Sequence, residues 1–181
     1  MKKDSIGFVW NAALAHTIAY FIAGIFAVTF LGYRERFAEE ALATFMRQVD
    51  DPMTALGPGL QILRGLVVGA VLLPFRKRIT GEKHGYAALA LLVAGLSGFS
   101  ALGPAPGSFE GFVYTTLSPL YHVFGLPELV LYVLLFALVC KLLVETKKKA
   151  VKAAAVAAVV LISLLSLLGY LAATGVLAVP A

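Results

Sequence analysis

The chain has 181 residues, of which 60% are hydrophobic and only 14% charged, with a single cysteine and a formal net charge of +5. Soluble domains run nearer ~45–50% apolar, so an ordinary water-soluble domain is excluded, and the lone Cys140 excludes an intrachain disulfide or a cysteine-based metal cluster. The positive charge does not point to nucleic acid, because Lys and Arg stand in short runs at the ends of apolar segments, where topology signals belong.

The amino terminus, MKKD before an apolar run from Ile6 to Leu31, begins like a secretory signal. That run far exceeds the ~7–15 residues of a signal core, and no small-x-small cleavage site follows it before Tyr33, so it reads as an uncleaved first crossing, 6–32. Ala15, Ala19, Ala23 and Ala27 recur along it at intervals of one helical turn, a seam of small residues that lets another helix approach closely. Asn11 and His16 lie in its first half. His16 reads as a hydrogen-bonded packing residue, with a proton-relay or ligand role as the alternative. Trp10 and Tyr33 stand near opposite ends, where interfacial aromatics belong.

Residues 34–51, RERFAEEALATFMRQVDD, place Ala38, Leu42, Phe45, Met46 and Val49 at helical spacing opposite Glu39, Arg47 and Gln48. This pattern predicts an amphipathic helix on the outer surface, in the headgroup layer or capping the bundle. Asp51 before Pro52 is a helix start, an N-cap followed by proline at the first position.

The second crossing, 56–75, reads LGPGLQILRGLVVGAVLLPF. Gly57-Pro58-Gly59 predicts a kink or short break near its start. Its central Arg64 costs roughly 2.5 to 3.5 kcal/mol to insert and asks for an anion, unless its stem carries the charge out to the headgroups. The third crossing, 84–103, again spaces small residues by one turn at Ala90, Ala94 and Gly98, and His84 before it reads as a solvated loop residue. Residues 108–125 are apolar yet contain Glu110, Pro119 and His122 after an irregular GPAPG, and read as a re-entrant or surface segment on the outer face. A sixth crossing there would place the Lys147–Lys149 run outside. Pro127 and Glu128 open the fourth crossing, 126–145, and an Ala- and Leu-rich fifth occupies 152–175.

The expected fold is therefore all-α: a single polytopic transmembrane helical bundle of five crossings, each near the ~20 residues a bilayer core requires. Eleven of the fifteen Lys and Arg residues fall at the amino terminus and in the connections 76–83 and 141–152, which by the positive-inside rule puts the amino terminus in the cytoplasm and the carboxyl terminus outside. The cell membrane is the expected location. On this topology Arg64, Glu110, Tyr114, Tyr121, His122 and Glu128 converge on the outer half, with Glu110 the first choice as Arg64's counter-ion and Glu128 the second. They predict a polar pocket, with Tyr114 and His122 as hydrogen-bonding walls, that binds or passes a small anionic or zwitterionic solute or a lipid headgroup.

A membrane enzyme acting on an outer-leaflet lipid through Glu110 and His122 is the first alternative. A non-catalytic subunit whose small-residue seams serve assembly, with itself or with another protein, is the second. Hydrolase, zinc-protease and nucleotide-binding motifs are missing from the sequence, and the three histidines lie on three separate elements without ligand spacing, so neither metal nor cofactor is expected.

Overall fold

The computed structural model describes residues 2–98 and 105–177. All regular structure among them is helical. Helix α1 covers Lys2–Phe30, and two short helices follow, α2 at Tyr33–Ala38 and α3 at Glu40–Ala43. Helix α4, Pro52–Leu72, runs through a 3-10 turn, Leu73–Phe75, into α5, Arg76–Gly81. Helix α6 is Gly85–Gly98, α7 Phe109–Tyr114, α8 Pro119–Phe124, α9 Leu126–Glu145 and α10 Lys149–Ala173. Among the described residues, four helical stretches are long and apolar enough to cross a membrane: Asp4–Phe30, Pro52–Gly81, Pro119–Glu145 and Lys149–Ala173. Helix α6 is shorter, at 14 residues, and the remainder of the expected crossing 84–103 lies outside the described residues.

Helix α1 is the centre of the bundle, in contact with α4, α9 and α10, while α6 packs on α9. Every residue from Asn11 to Thr17 is buried, and the seam of Ala15, Ala19, Ala23 and Ala27 is at most 1% exposed along its whole length. Helix α4 runs antiparallel to both α1 and α10. Gly65 and Gly69 of α4 meet Ala13 and Val9 of α1, and Gly59 and Ala55 near the start of α4 meet Ser166 and Gly169 near the end of α10. The α1–α4 contact is backbone against backbone: a Cβ on Gly65 would lie 2.9 Å from the Ala13 carbonyl oxygen, and one on Gly69 2.7 Å from that of Val9. Glycines one turn apart thus let two helices approach until main chains touch, which gains dispersion and weak Cα–H···O contacts.

The outward faces are apolar. Leu63, Val67 and Val71 on α4, Leu134 and Leu138 on α9, and Leu161, Leu164 and Leu168 on α10 are all exposed. A water-soluble bundle places charged and polar residues on such faces.

Gly32, at φ 63°, turns the chain from α1 into α2, a left-handed conformation that glycine adopts without penalty. Arg36 then reaches back, its Nε donating to the Leu31 carbonyl at 2.8 Å. The amphipathic helix expected over 34–51 does not form as one element. Glu39 is extended between α2 and α3, and among the apolar positions only Leu42 is buried while Phe45 is exposed. Tertiary contacts outweigh the helical pattern here: Gln48 Nε2 donates to the Phe37 carbonyl at 2.6 Å, Tyr121 donates to Glu39, and the Arg36 guanidinium lies 3.2 Å over the centre of the Phe124 ring. These same contacts tie α2 and α3 to α8 as a cap over one end of the bundle.

The start of α4 is as expected, with Asp51 Oδ1 accepting from the Met53 amide at 2.8 Å and proline at the first position. The expected break at Gly57-Pro58-Gly59 is not found, since α4 is continuous through Pro58. A proline in the second turn forfeits one hydrogen bond, to the Thr54 carbonyl, and the remaining ladder closes around it.

Candidate functional site

The end of the bundle where α1 finishes and α4 and α9 begin holds two adjoining cavities. The narrower, about 430 Å³, is lined by Tyr20, Tyr33, Arg64, Ser97, Glu128 and Tyr132 among others. The wider, about 850 Å³, has apolar walls from Phe21, Ile25, Val28, Leu42, Met46 and Phe124. They share Tyr20, Tyr33, Pro106, Gly107, Gly125 and Glu128, so these residues stand where one opens to the other. The basic connections at 76–83 and 141–152 lie at the opposite end of the helices.

Arg64 is exposed in this setting, and among the described residues it makes no hydrogen bond or ion pair. Its charge is close enough to act on His16, Tyr20 and Tyr132. The expected pair with Glu110 is not made. Glu110 sits in the first turn of α7, does not line Arg64's cavity among the described residues, and has one carboxylate oxygen buried with no hydrogen-bond partner. Glu128, the second choice, does share the narrower cavity with Arg64. Its carboxylate accepts from the Tyr33 hydroxyl rather than from the guanidinium. Burial, followed by that hydrogen bond and the Glu128 charge, pushes the Tyr33 phenol well above its usual range, so Tyr33 remains a donor at any ordinary pH.

The other expected site residues fall elsewhere. His122 is buried and staples the 105–125 segment: its Nδ1 accepts from the Gly107 amide at 3.2 Å, and Nε2 lies 3.4 Å from Thr115 Oγ1. Ser108 caps α7, its Oγ accepting from the Gly111 amide at 2.9 Å and donating to the Ala105 carbonyl at 2.7 Å. Tyr114 is 76% exposed and lines neither cavity among the described residues. His84 is exposed in the turn before α6.

Beneath the cavities lies a buried polar chain. His16 is 1% exposed and bridges two other helices, with Nδ1 2.7 Å from the Tyr132 hydroxyl and Nε2 3.1 Å from Gln61 Oε1. The Gln61 carbonyl oxygen can only accept, so Nε2 carries a proton, and Nδ1 pairs with the Tyr132 hydroxyl. Tyr132 and Phe136 stack on each other, and both meet the imidazole edge-on. His16 is thus a hydrogen-bonded packing residue that fixes Tyr132, itself a wall of Arg64's cavity. Tyr20, Tyr33 and Tyr132 were not singled out from the sequence as site residues. A signal for Tyr20 and Tyr132 was available, since a tyrosine inside an apolar crossing must place its hydroxyl on a polar partner.

No protein-family model, curated protein or solved structure matches this chain.

Proposed function

We propose that this chain is an integral membrane protein of five crossings, amino terminus cytoplasmic and carboxyl terminus outside, with a pocket on the extracytoplasmic side that binds an anionic or zwitterionic solute or lipid headgroup. Supporting the topology, α1 and α10 run one way and α4 and α9 the other, α6 leads from the basic end towards the narrower cavity, and the basic connections lie at the end away from the pocket.

One observation carries the binding reading: a guanidinium in the middle of an apolar helix faces a cavity with its donors unused among the described residues. A structural arginine at that depth would hold a carboxylate, since an unpaired charge there is costly. A pocket that is to receive an anion leaves its cation available, and the polar groups around it fix the ligand's orientation. Both ring nitrogens of His122 are engaged by its own segment, which favours binding over acid–base chemistry at Glu110 and His122.

The test is native mass spectrometry of the detergent-extracted protein. A phosphate- or carboxylate-bearing adduct is expected on the wild type, retained in part by Arg64→Lys and lost from Arg64→Gln. Adducts indifferent to Arg64→Gln would remove the proposed pocket.

A further inference from the structure

We infer that the pocket takes one whole zwitterionic lipid, with its phosphate and ammonium in the narrower cavity and an acyl chain in the wider one; this rests on the binding reading above. The charges of the narrower cavity point to the headgroup. Arg64 and Glu128 both line it, yet no ion pair joins them, and the only hydrogen bond the described residues give Glu128's carboxylate is Tyr33's, on one oxygen. A ligand that is only an anion would satisfy Arg64 and be repelled by Glu128. One that is only a cation would leave the guanidinium bare. A phosphate and an ammonium a few bonds apart answer both.

The wider cavity decides between a free solute and a lipid. Its basic residues are already engaged: Arg36 with the Leu31 carbonyl and the Phe124 ring, Arg47 with Asp51 at 3.1 Å. Facing the space besides are Phe21, Ile25, Val28, Leu42 and Met46, with Thr29 and the shared Glu128 as polar exceptions, and the space is continuous with the headgroup cavity through Tyr20 and Tyr33. A polar solute would leave those walls unfilled, whereas an acyl chain lies against them with dispersion contacts along its length. Arg64 is the cation left for the phosphate.

The experiment titrates the detergent-solubilised protein, by native mass spectrometry, with phosphatidylethanolamine, phosphatidylcholine and phosphatidylglycerol of identical acyl chains, and with glycerophosphoethanolamine, which has the headgroup alone. The expected result is one zwitterionic lipid per chain, with phosphatidylglycerol and glycerophosphoethanolamine each weaker by at least about tenfold. Preference for phosphatidylethanolamine assigns the ammonium to hydrogen bonds at Glu128, and preference for phosphatidylcholine assigns it to charge alone. Glu128→Gln erases the discrimination against phosphatidylglycerol, and Met46→Trp, which narrows the wider cavity, weakens every tailed lipid about tenfold or more.

Phosphatidylglycerol bound as tightly as the zwitterionic lipids by the wild type overturns the headgroup assignment. Glycerophosphoethanolamine bound as tightly as phosphatidylethanolamine overturns the acyl-chain assignment and leaves the binding reading intact. Absence of any Arg64-dependent adduct removes both. The wild-type arms decide even if a variant fails to fold.

Discussion

Between Asn11 and Thr17 every residue of α1 is buried, whereas beyond Tyr20 the same helix alternates between buried alanines and exposed Ile22, Ile25 and Val28. The difference lies in what faces each half. Opposite the first half stand Gly65 and Gly69, which bring α4 to main-chain contact. Around the second half stand Gly57, Pro58, Gly125 and the two cavities. One small-residue seam therefore serves two ends: at one it makes a rigid helix pair, at the other it holds α1 in place beside a space that side chains do not fill. Rigid packing and an uncompensated charge meet midway along the bundle, where Arg64 directly precedes Gly65 and the His16–Tyr132 hydrogen bond ties α1 to α9.

The most damaging change should be at the close contact. Gly65→Leu drives a side chain into the Ala13 main chain, which cannot relax, and is expected to cost more than ~3 kcal/mol, beyond ordinary overpacking. Thermal unfolding followed by size-exclusion chromatography should show little folded protein. A near-wild-type melting temperature would mean the two helices are not in main-chain contact.

Next in size is the link between the halves. Tyr132→Phe leaves the buried Nδ1 of His16 without its partner and is expected to cost about 1–3 kcal/mol. Combining it with His16→Leu should cost less than the sum of the two single changes, because both partners are then apolar. Strict additivity in that double-mutant cycle would dissolve the link.

At the cavity the sign reverses. Arg64→Met removes an unpaired charge and is expected to raise stability by on the order of 1 kcal/mol, a fraction of the cost of a central arginine because the side chain is exposed. Lipid adducts should vanish at the same time. A clear loss of stability would instead mark Arg64 as a structural pin, and the contrast between the two halves would fail.

The smallest effect is at Tyr33. Its folded-state pKa is raised by burial and by Glu128, so its contribution is fully present below the unfolded value near ~10 and is lost as pH rises above it. Melting temperatures of the wild type should therefore fall faster above about pH 10 than those of Tyr33→Phe. Parallel curves would show that the Tyr33–Glu128 contact contributes nothing to the cavity end.

Much of this was legible in one dimension. The crossings expected at 6–32, 126–145 and 152–175 are helices Lys2–Phe30, Leu126–Glu145 and Lys149–Ala173, and the Asp51 cap and alanine seam fall where the residues put them. The outer pieces were not. The helical spacing of Ala38, Leu42, Phe45 and Met46 is real, but Glu39 interrupts it because side chains distant in sequence take hold of the segment. The residues point to Arg64 as the one on which a site turns, and to Glu110 before Glu128 as its counter-charge, because Glu128 already suits the start of its own helix. The structure sets Glu128 across the cavity instead, beside tyrosines that hydropathy alone does not distinguish from packing.

The residues alone determined which stretches are long apolar helices, where α4 begins, and that one internal arginine needs an anion. Length, hydropathy and capping are properties of neighbours along the chain. Only the tertiary structure decided which side of each helix meets which other, because helices that are apolar all round carry no stripe to set their rotation. For that reason the placing of Arg64 and Glu128 on one cavity, the bond from Tyr132 to His16, and the space beside the second half of α1 became visible only once the helices were packed.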